Sequence, residues 1–281
     1  TAAAPPSACT VAFWSSPLKT GFTANQSGGI HASQDLDTWS QVENFGSAYV
    51  WRSFIEMPDG RVGLIADRGF SAFSFDGEEW SVSGLSNIDE LTLTGAAIFG
   101  DYIYVIGTDS NNSPKVYKSI DGQTYTPVTI SYTTNTYLGA IKVVDGVLYI
   151  GGGDSDGGTN DAFILRSEDG ESFTKIALTS TSGGVEIRSI AHSPELGVII
   201  ASTNTGAAGE GIYYSTNGTS FTGDPTFAVA LPYIEWCPLL GKFAATSAGG
   251  SGYRSTAFAN TISANVAGFT IQAVQYSGTI T

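Results

Sequence analysis

The residues of this sequence with the clearest potential for chemistry are two arginines that occupy matching places in two repeated units. Arg52 and Arg188 each lie near the start of an apolar run. Two arginines facing one pocket could hold a carboxylate, because the planar guanidinium forms paired hydrogen bonds with both carboxylate oxygens. The alternative is an ion pair between neighbouring units, for example with Glu186 or Glu56. We expect the ligand-binding residues to be Trp51, Arg52, Tyr137, Arg188, Tyr233 and Glu235.

Aromatic side chains near the predicted loops are a second feature with functional potential. Phe, Tyr and Trp make up 12% of the residues, and rings in such places could stack on the faces of sugars. The alternative is packing between the repeated units, where aromatic side chains bury a large apolar area. The aromatic residues concerned are Tyr49, Trp51, Tyr132, Tyr137 and Tyr233.

A glycine-rich loop at 151–161 carries the best candidate for a metal site. Asp154, Asp156, Asn160 and Asp161 offer oxygen ligands at spaced positions, and oxygen is the ligand that Ca²⁺ prefers. The alternative is an acidic loop that is only solvated. Calcium is the one cofactor that the sequence suggests, since two scattered histidines and two scattered cysteines argue against a zinc site.

Catalytic constellations are hard to assemble from this sequence. A glycoside hydrolase needs a carboxylate pair across a cleft, and Glu186 and Glu235 are the candidates for it. Neither His31 nor His192 lies in a sequence context typical of a nucleophile and its base. These observations favour a protein without enzymatic activity.

A short motif that returns six times determines the elements that must position these residues. It reads Ser-Xaa-Asp-Gly-Xaa-Xaa-aromatic, and its Asp or Asn positions in the first five copies are 41, 45, 48 and 48 residues apart. Such a period is typical of four-stranded propeller blades. The Asp-Gly pair suits a tight turn in which Asp bonds amides ahead of it, Gly takes a positive φ and Ser caps the turn. The copies begin at Ser33, Ser74, Ser119, Ser167, Ser215 and, in degraded form, Ser255.

Each period also contains short runs of β-branched and aromatic residues, bounded by Gly, Asp, Asn, Ser and Pro, which indicate strands. The sequence therefore predicts an all-β fold, a six-bladed β-propeller with four-stranded blades, as one domain over residues 1–281. The approximate blade boundaries are 8–45, 46–85, 86–130, 131–180, 181–226 and 227–281. The loops after each second strand and those between blades share one face, where we expect a ligand to bind.

The motif resembles the Asp-box repeat, also called the BNR repeat, of sialidases, related glycosidases and many secreted or phage propellers. The resemblance extends from about Cys9 to Phe269, and it implies boxes on the face opposite the active site. Those families usually have one more residue between the Ser and the aromatic. Sialidases also need three arginines on the substrate carboxylate, and only Arg52 and Arg188 are suitably placed here. The missing third arginine counts against sialidase activity.

The composition restricts the classes of partner that the protein can bind and indicates where it is located. The formal net charge is −14 and no basic cluster is present, which argues against nucleic acid and anionic membranes. No apolar run reaches the length needed for membrane insertion. Few Lys and Arg with abundant Gly, Ser, Thr, Asn and Tyr indicate a secreted or virion-like surface. Because position 1 is Thr rather than an initiator Met, we expect a processed or excised domain of a larger protein. Cys9 and Cys237 are expected on innermost strands, either bonded or as free buried thiols.

These patterns together predict a non-enzymatic recognition propeller. We expect it to bind a host-surface glycan or a protein receptor as part of a phage tail or another virion appendage, or as a secreted protein. Other virion or parent-protein chains are further expected partners, and the predicted location is the virion or the extracellular space. The alternatives are an exo-acting, sialidase-like glycoside hydrolase that uses the central pocket, and a purely structural virion domain.

Overall fold

The structure is a computed structural model that describes most of the chain. The described residues are 9–25, 28–35, 38–46, 49–83, 87–88, 90–131, 136–154, 162–179, 185–205, 207, 210–224, 229–237, 241–246, 252–255 and 271–273. Among them, no helix has the length and apolar character that a bilayer span requires.

Within the described residues, 24 strands form six four-stranded antiparallel sheets, each built from strands that follow one another in the chain. The sheets belong to two compact units of three sheets each. The first unit contains β1 (Cys9–Ser15), β2 (Thr20–Asn25), β3 (Gly29–Ser33), β4 (Ser40–Asn44), β5 (Trp51–Glu56), β6 (Val62–Ala66), β7 (Ser71–Ser74), β8 (Ser81–Ser83), β9 (Thr92–Phe99), β10 (Tyr102–Thr108), β11 (Pro114–Ser119) and β12 (Thr126–Val128).

The second unit repeats the same arrangement. Its strands are β13 (Thr136–Val144), β14 (Val147–Asp154), β15 (Ala162–Ser167), β16 (Thr174–Ala177), β17 (Ile187–Ser193), β18 (Val198–Thr203), β19 (Ile212–Ser215), β20 (Thr222–Gly223), β21 (Tyr233–Cys237), β22 (Lys242–Thr246), β23 (Gly252–Ser255) and β24 (Ile271–Ala273). The prediction of an all-β fold with four antiparallel strands per repeat is confirmed.

The hydrophobic cores lie between neighbouring sheets of a unit. In β6, which is buried along its whole length, Val62 and Leu64 pack with the sheet before it and Ile65 packs with the sheet after it. Successive side chains of a strand point to opposite faces, so the middle sheet of the first unit is covered on both sides. This explains why its second strand is a continuous apolar run rather than an alternating one.

The repeated motif forms the turn between the third and fourth strands. In the copy at Ser167, Asp169 Oδ1 accepts hydrogen bonds from Glu171 N at 2.8 Å and Ser172 N at 2.7 Å. Ser167 Oγ accepts one from Gly170 N at 2.8 Å, and Gly170 has a φ of 75°. The copies at Ser74, Ser119 and Ser215 make the same set of bonds.

In the copies at Ser74 and Ser119 the motif glycine also lies against the sheet before it. A Cβ on Gly77 would lie 2.6 Å from Cζ of Phe22, and one on Gly122 would lie 2.6 Å from Cζ of Phe73. Ser71 Oγ adds a hydrogen bond to Gly122 O at 3.0 Å. The glycine is therefore needed for close approach between sheets as well as for its positive φ.

Three expectations from the sequence remain predictions. Cys9 and Cys237 lie in β1 and β21, but their side chains are outside the described residues, so their bonding is open. The rest of the degraded sixth motif copy, which begins at Ser255, also lies outside them. The single domain over residues 1–281 is likewise untested by the two compact units.

Candidate functional site

The first strand of five described sheets carries a β-bulge near its start. At this point one residue of the first strand is left out of the register with the second strand. Arg52 in β5 and Arg188 in β17 are two of these residues, so the arginines that the sequence matched do occupy equivalent positions. A bulge re-aims the side chain of its extra residue. The other bulge residues are Thr10, Thr94 and Gly139.

Arg52 is held by a carboxylate of its own unit. Its Nε donates to Asp67 Oδ1 at 2.9 Å and its Nη2 donates to Asp67 Oδ2 at 2.8 Å. Asp67 Oδ1 also accepts a hydrogen bond from Leu93 N, at 2.9 Å, in the next sheet. Arg52 is therefore in an ion pair within its own sheet, with Asp67 as the acid, whereas the sequence alternative was a pair between neighbouring units with Glu186 or Glu56 as examples. This arrangement ties two sheets together and leaves Asp67 few free lone pairs.

Arg188 sits between a carboxylate and an aromatic ring. Its Nη2 donates to Glu186 Oε2, its Nη1 donates to Tyr137 Oη at 2.9 Å, and its Cζ lies 4.3 Å from the centre of the Tyr137 ring. Asn204 braces Glu186, because Asn204 Oδ1 accepts from Glu186 N at 2.8 Å and Asn204 N donates to Glu186 O at 3.1 Å. Two of the predicted ligand-binding residues, Tyr137 and Arg188, are thus in direct contact.

Tyr233 lies close to this cluster on the neighbouring strand. Ser189 Oγ, one residue after Arg188, donates to Ile234 O, one residue after Tyr233, at 3.0 Å. Tyr233 is 64% exposed, so its ring is available to a ligand. We call Tyr137, Glu186, Arg188, Asn204 and Tyr233 the second-unit surface.

Glu235 is engaged by a lysine. Lys142 Nζ donates to its two carboxylate oxygens at 3.1 and 2.9 Å. Each of the two acids that the sequence offered for glycosidic chemistry, Glu186 and Glu235, is therefore paired with a cation.

Trp51 does not reach the surface. Its side chain is 1% exposed and lies 5.7 Å from the ring of Phe45, 5.9 Å from that of Tyr49 and 6.1 Å from that of Phe70. It packs in the core of the first unit, so the expected ligand contact is not available to it. Tyr132 lies outside the described residues.

The first unit contains a surface cavity of about 470 Å³. Its walls come from the segment after β6, the connection before β9 and the loop after β10, and the last two segments belong to loops that the sequence assigns to the ligand face. We call it the first-unit cavity. Its lining residues are Asp67, Arg68, Glu90, Leu91, Thr92 and Ser110.

The expected calcium loop is only partly described. Asp154 Oδ1 accepts a hydrogen bond from Thr136 Oγ1 at 2.6 Å, and its Oδ2 lies 3.6 Å from Lys175 Nζ. Asp156, Asn160 and Asp161 are outside the described residues. Within the described part of the chain, no group of three or more His, Cys, Asp or Glu side chains is placed to hold a metal ion, so calcium binding stays a prediction.

The two histidines lie apart from these sites. His31 is in β3, where burial lowers its pKa below the ordinary value. His192 is in β17, with Nε2 3.8 Å from Asp145 Oδ2 in the turn after β13.

Sequence reasoning missed Asp67, which holds Arg52, and Asn204, which braces Glu186 beside Arg188. Asp67 and Asn204 each follow directly after the second strand of their sheet, and both bond the segment that leads into a first strand. A polar residue at this repeated place is the signal that could have found them. Lys142 and Arg68 carried no comparable signal.

Comparison with known proteins supports the fold and leaves the activity open. The sequence matches no protein-family model and no curated protein. It is similar in structure to a streptogramin B lyase, with a TM-score of 0.72 and 13% identity over 98% of this chain and 85% of that one. It is also similar to a catalytically inactive histidine-to-alanine variant of virginiamycin B lyase from Staphylococcus aureus, solved with quinupristin. The TM-score is 0.71 and the sequence identity is 12%, over 96% of this chain and 85% of that one.

A third similar structure is YCF48 bound to a D1 peptide. Its TM-score is 0.57 and its identity 14%, over 84% of this chain and 74% of that one. These proteins are β-propellers. At such low identity the similarity shows the β-propeller fold alone, since one fold hosts many activities.

Proposed function

We propose that this protein is a non-enzymatic recognition module that binds a glycan or a protein receptor on a host surface. The observation that carries the proposal is the second-unit surface. There an exposed tyrosine, Tyr233, adjoins a cluster of Arg188, Glu186 and Asn204 that is fixed by hydrogen bonds. An exposed ring beside fixed hydrogen-bonding groups suits the recognition of a sugar or a polar peptide, because little ordering is required when the ligand binds.

The ion pairs favour binding over catalysis. An exo-acting glycoside hydrolase needs one carboxylic acid and one carboxylate free to act on the glycosidic bond. Glu186 accepts a hydrogen bond from Arg188 and Glu235 accepts two from Lys142, so neither carboxylate is free of a cationic partner. No observation in the described residues supports the hydrolase alternative more specifically.

The finer architecture is part of the proposal. Six sheets with the same strand order, four of which have the same motif turn, support one six-bladed propeller over residues 1–281 with turns of the Asp-box type. The acidic composition with few lysines and arginines supports a virion or extracellular location. Other virion or parent-protein chains are proposed partners, and a purely structural virion domain is the alternative. The similar fold of YCF48, whose structure holds a bound D1 peptide, supports protein partners on this fold in general.

A binding screen tests the proposal. The purified protein is applied to a glycan array and to a panel of host-surface proteins, each with calcium and with a chelator. We expect selective binding that Tyr233→Ala abolishes. Phe75→Ala is the matched control, since Phe75 is a 69% exposed aromatic in a motif turn of the first unit. An absence of binding by folded protein, or equal binding by both variants, would contradict the proposal.

A further inference from the structure

We propose that the first-unit cavity is a separate binding site for an uncharged sugar residue. This inference goes beyond the proposed function, which rests on the second-unit surface alone. At about 470 Å³ the cavity falls in the range of small-ligand pockets, roughly 300–1,000 Å³. Its position agrees with the loop face on which a propeller scaffold holds functional groups.

The backbone that lines the cavity is held rigidly. Arg68 N donates to Leu91 O at 2.9 Å, Asp67 N to Val50 O at 3.0 Å, and Ala66 N to Phe70 O at 2.8 Å. The first bond fixes the short 3-10 helix Asp67–Gly69 against the connection before β9, and the other two fix it to Val50 and Phe70. The cavity wall is therefore formed before any ligand arrives, which lowers the entropic cost of binding.

Arg68 adopts a backbone conformation that arginine seldom takes. Its φ is 64° and its ψ is 20°, in the left-handed region where glycine is the usual residue. Such strain persists where the surrounding structure over-determines it, and it concentrates at ligand sites. A guanidinium is present at a position where a glycine would relieve strain, and this points to a role for the side chain.

The lining groups match the hydrogen bonding of a sugar. Arg68 offers only donors, the Glu90 carboxylate offers only acceptors, and the hydroxyls of Thr92 and Ser110 offer both. Each sugar hydroxyl is at once a donor and an acceptor, so a diol can bond an arginine and a carboxylate together.

Charge selects a neutral ligand. The Asp67 carboxylate is paired with Arg52, and the lining contains one cationic residue, Arg68, and one further acidic residue, Glu90. An anionic sugar would meet Glu90 and the field of a chain with a net charge of −14, which lowers its local concentration. A cationic ligand would meet Arg68 at close range.

Saturation-transfer NMR and calorimetry test this site with defined probes. The probes are glucose, galactose, mannose and N-acetylglucosamine, with glucuronate and N-acetylneuraminate as anionic counterparts. We expect at least one neutral sugar to bind and the anionic sugars to bind about tenfold or more weakly. Arg68→Gly and Glu90→Gln should each lower the affinity by about tenfold or more, because each removes hydrogen bonds from a charged group.

The variants separate this site from the rest of the protein. Arg68→Gly keeps the positive φ, so a loss of binding is not attributable to misfolding. Arg61→Ala is the matched control, since Arg61 lies in the turn before β6 and pairs with Asp59. Tyr233→Ala should leave this binding unchanged. Absent sugar binding, stronger binding of the anionic sugars, or full binding by Arg68→Gly would each overturn the inference while leaving the second-unit proposal open.

Discussion

Lys142 and Glu235 form an ion pair with N–O distances of 2.9 and 3.1 Å, although a whole strand separates the strands that carry them. Lys142 belongs to β13 and Glu235 to β21, and β17 contacts both strands. The two side chains therefore meet across the edge of β17, so the first strands of the second unit must converge on one another. This convergence also places Tyr137, Arg188 and Tyr233 on successive strands of a single surface.

The Lys142–Glu235 pair should contribute little to stability. The two side chains are 35% and 63% exposed, and exposed pairs are worth between 0 and about 1 kcal/mol. We expect a coupling below about 1 kcal/mol in a double-mutant cycle of Lys142→Met and Glu235→Gln, measured by urea unfolding, and a smaller one at high salt. A coupling that is larger, or that salt leaves unchanged, would show that the pair is screened from solvent.

The sequence predicted the strands well because their signals are local. The run Val62–Ala66 and the turn after Ser74 carry apolar residues and turn residues in adjacent positions, and both were placed correctly. The partner of Arg52 was harder to predict. Asp67 lies 15 residues from Arg52 and reaches it through a bulge, which no composition rule signals. The burial of Trp51 depends on three rings brought together by folding, so its availability to a ligand could not be judged in advance.

The motif aspartates should make the protein sensitive to acid. Hydrogen bonds from Ser172 N, then Glu171 N and Ser167 Oγ, lower the pKa of Asp169 to about 2. A folded-state pKa below the ordinary value of 3.8 stabilises the protein above that pH, and the contribution is lost as the pH falls from about 4 towards 2. We expect Asp169→Asn to be less stable than the native protein at pH 6 and equally stable at pH 2, measured by urea unfolding.

The fifth motif copy supplies the reciprocal control. Asn217 Oδ1 already accepts from Thr219 N at 2.9 Å and Ser220 N at 3.0 Å, so the turn tolerates an amide. Asn217→Asp should raise stability at pH 6 and not at pH 2. If the difference in stability between the native protein and each of the two variants, Asp169→Asn and Asn217→Asp, is the same at pH 6 and pH 2, the carboxylate charge is not its cause.

Two buried tyrosines should respond differently to loss of their hydroxyl. Tyr213 Oη donates to Thr179 O at 2.9 Å, whereas Tyr125 Oη is buried without a hydrogen-bond partner among the described residues. Tyr213→Phe should cost about 1 kcal/mol, and Tyr125→Phe should be neutral or stabilising because it removes an unsatisfied polar group. Chemical unfolding of both variants measures this contrast, and an equal loss in both would show that Tyr125 is hydrogen-bonded in solution.

We expect that Gly153 cannot accommodate a side chain, because the neighbouring sheet lies directly against it. A Cβ at this position would collide with the carbonyl oxygen of Val185 and approach Cα of Glu186, the segment that leads to Arg188. Gly153→Ala should destabilise the protein by about 1–3 kcal/mol through overpacking. Gly146→Ala is the comparison, since Gly146 has a φ of 75° and open space around it. If Gly146→Ala proves the more costly change, backbone conformation rather than sheet packing limits these glycines.

We expect the arginine at position 68 to lower the stability of the protein while its side chain contributes to binding at the first-unit cavity. Its φ of 64° carries a conformational cost for any residue with a Cβ, of about 1–2 kcal/mol. Glycine removes that cost but adds about 0.5–1 kcal/mol of backbone entropy in the unfolded chain. We therefore expect Arg68→Gly to be as stable as the native protein or more stable by up to about 1 kcal/mol, measured by thermal and urea unfolding.

A second substitution at the same position separates the backbone from the side chain. Arg68→Ala keeps the cost of the left-handed conformation and removes the guanidinium, so it should be less stable than Arg68→Gly. Both variants should lose sugar binding at the first-unit cavity equally, because both lack the guanidinium. If Arg68→Ala is instead the more stable of the two, the left-handed backbone at Arg68 is not strained, and the argument from strain to function at this cavity fails even where sugar binding is found.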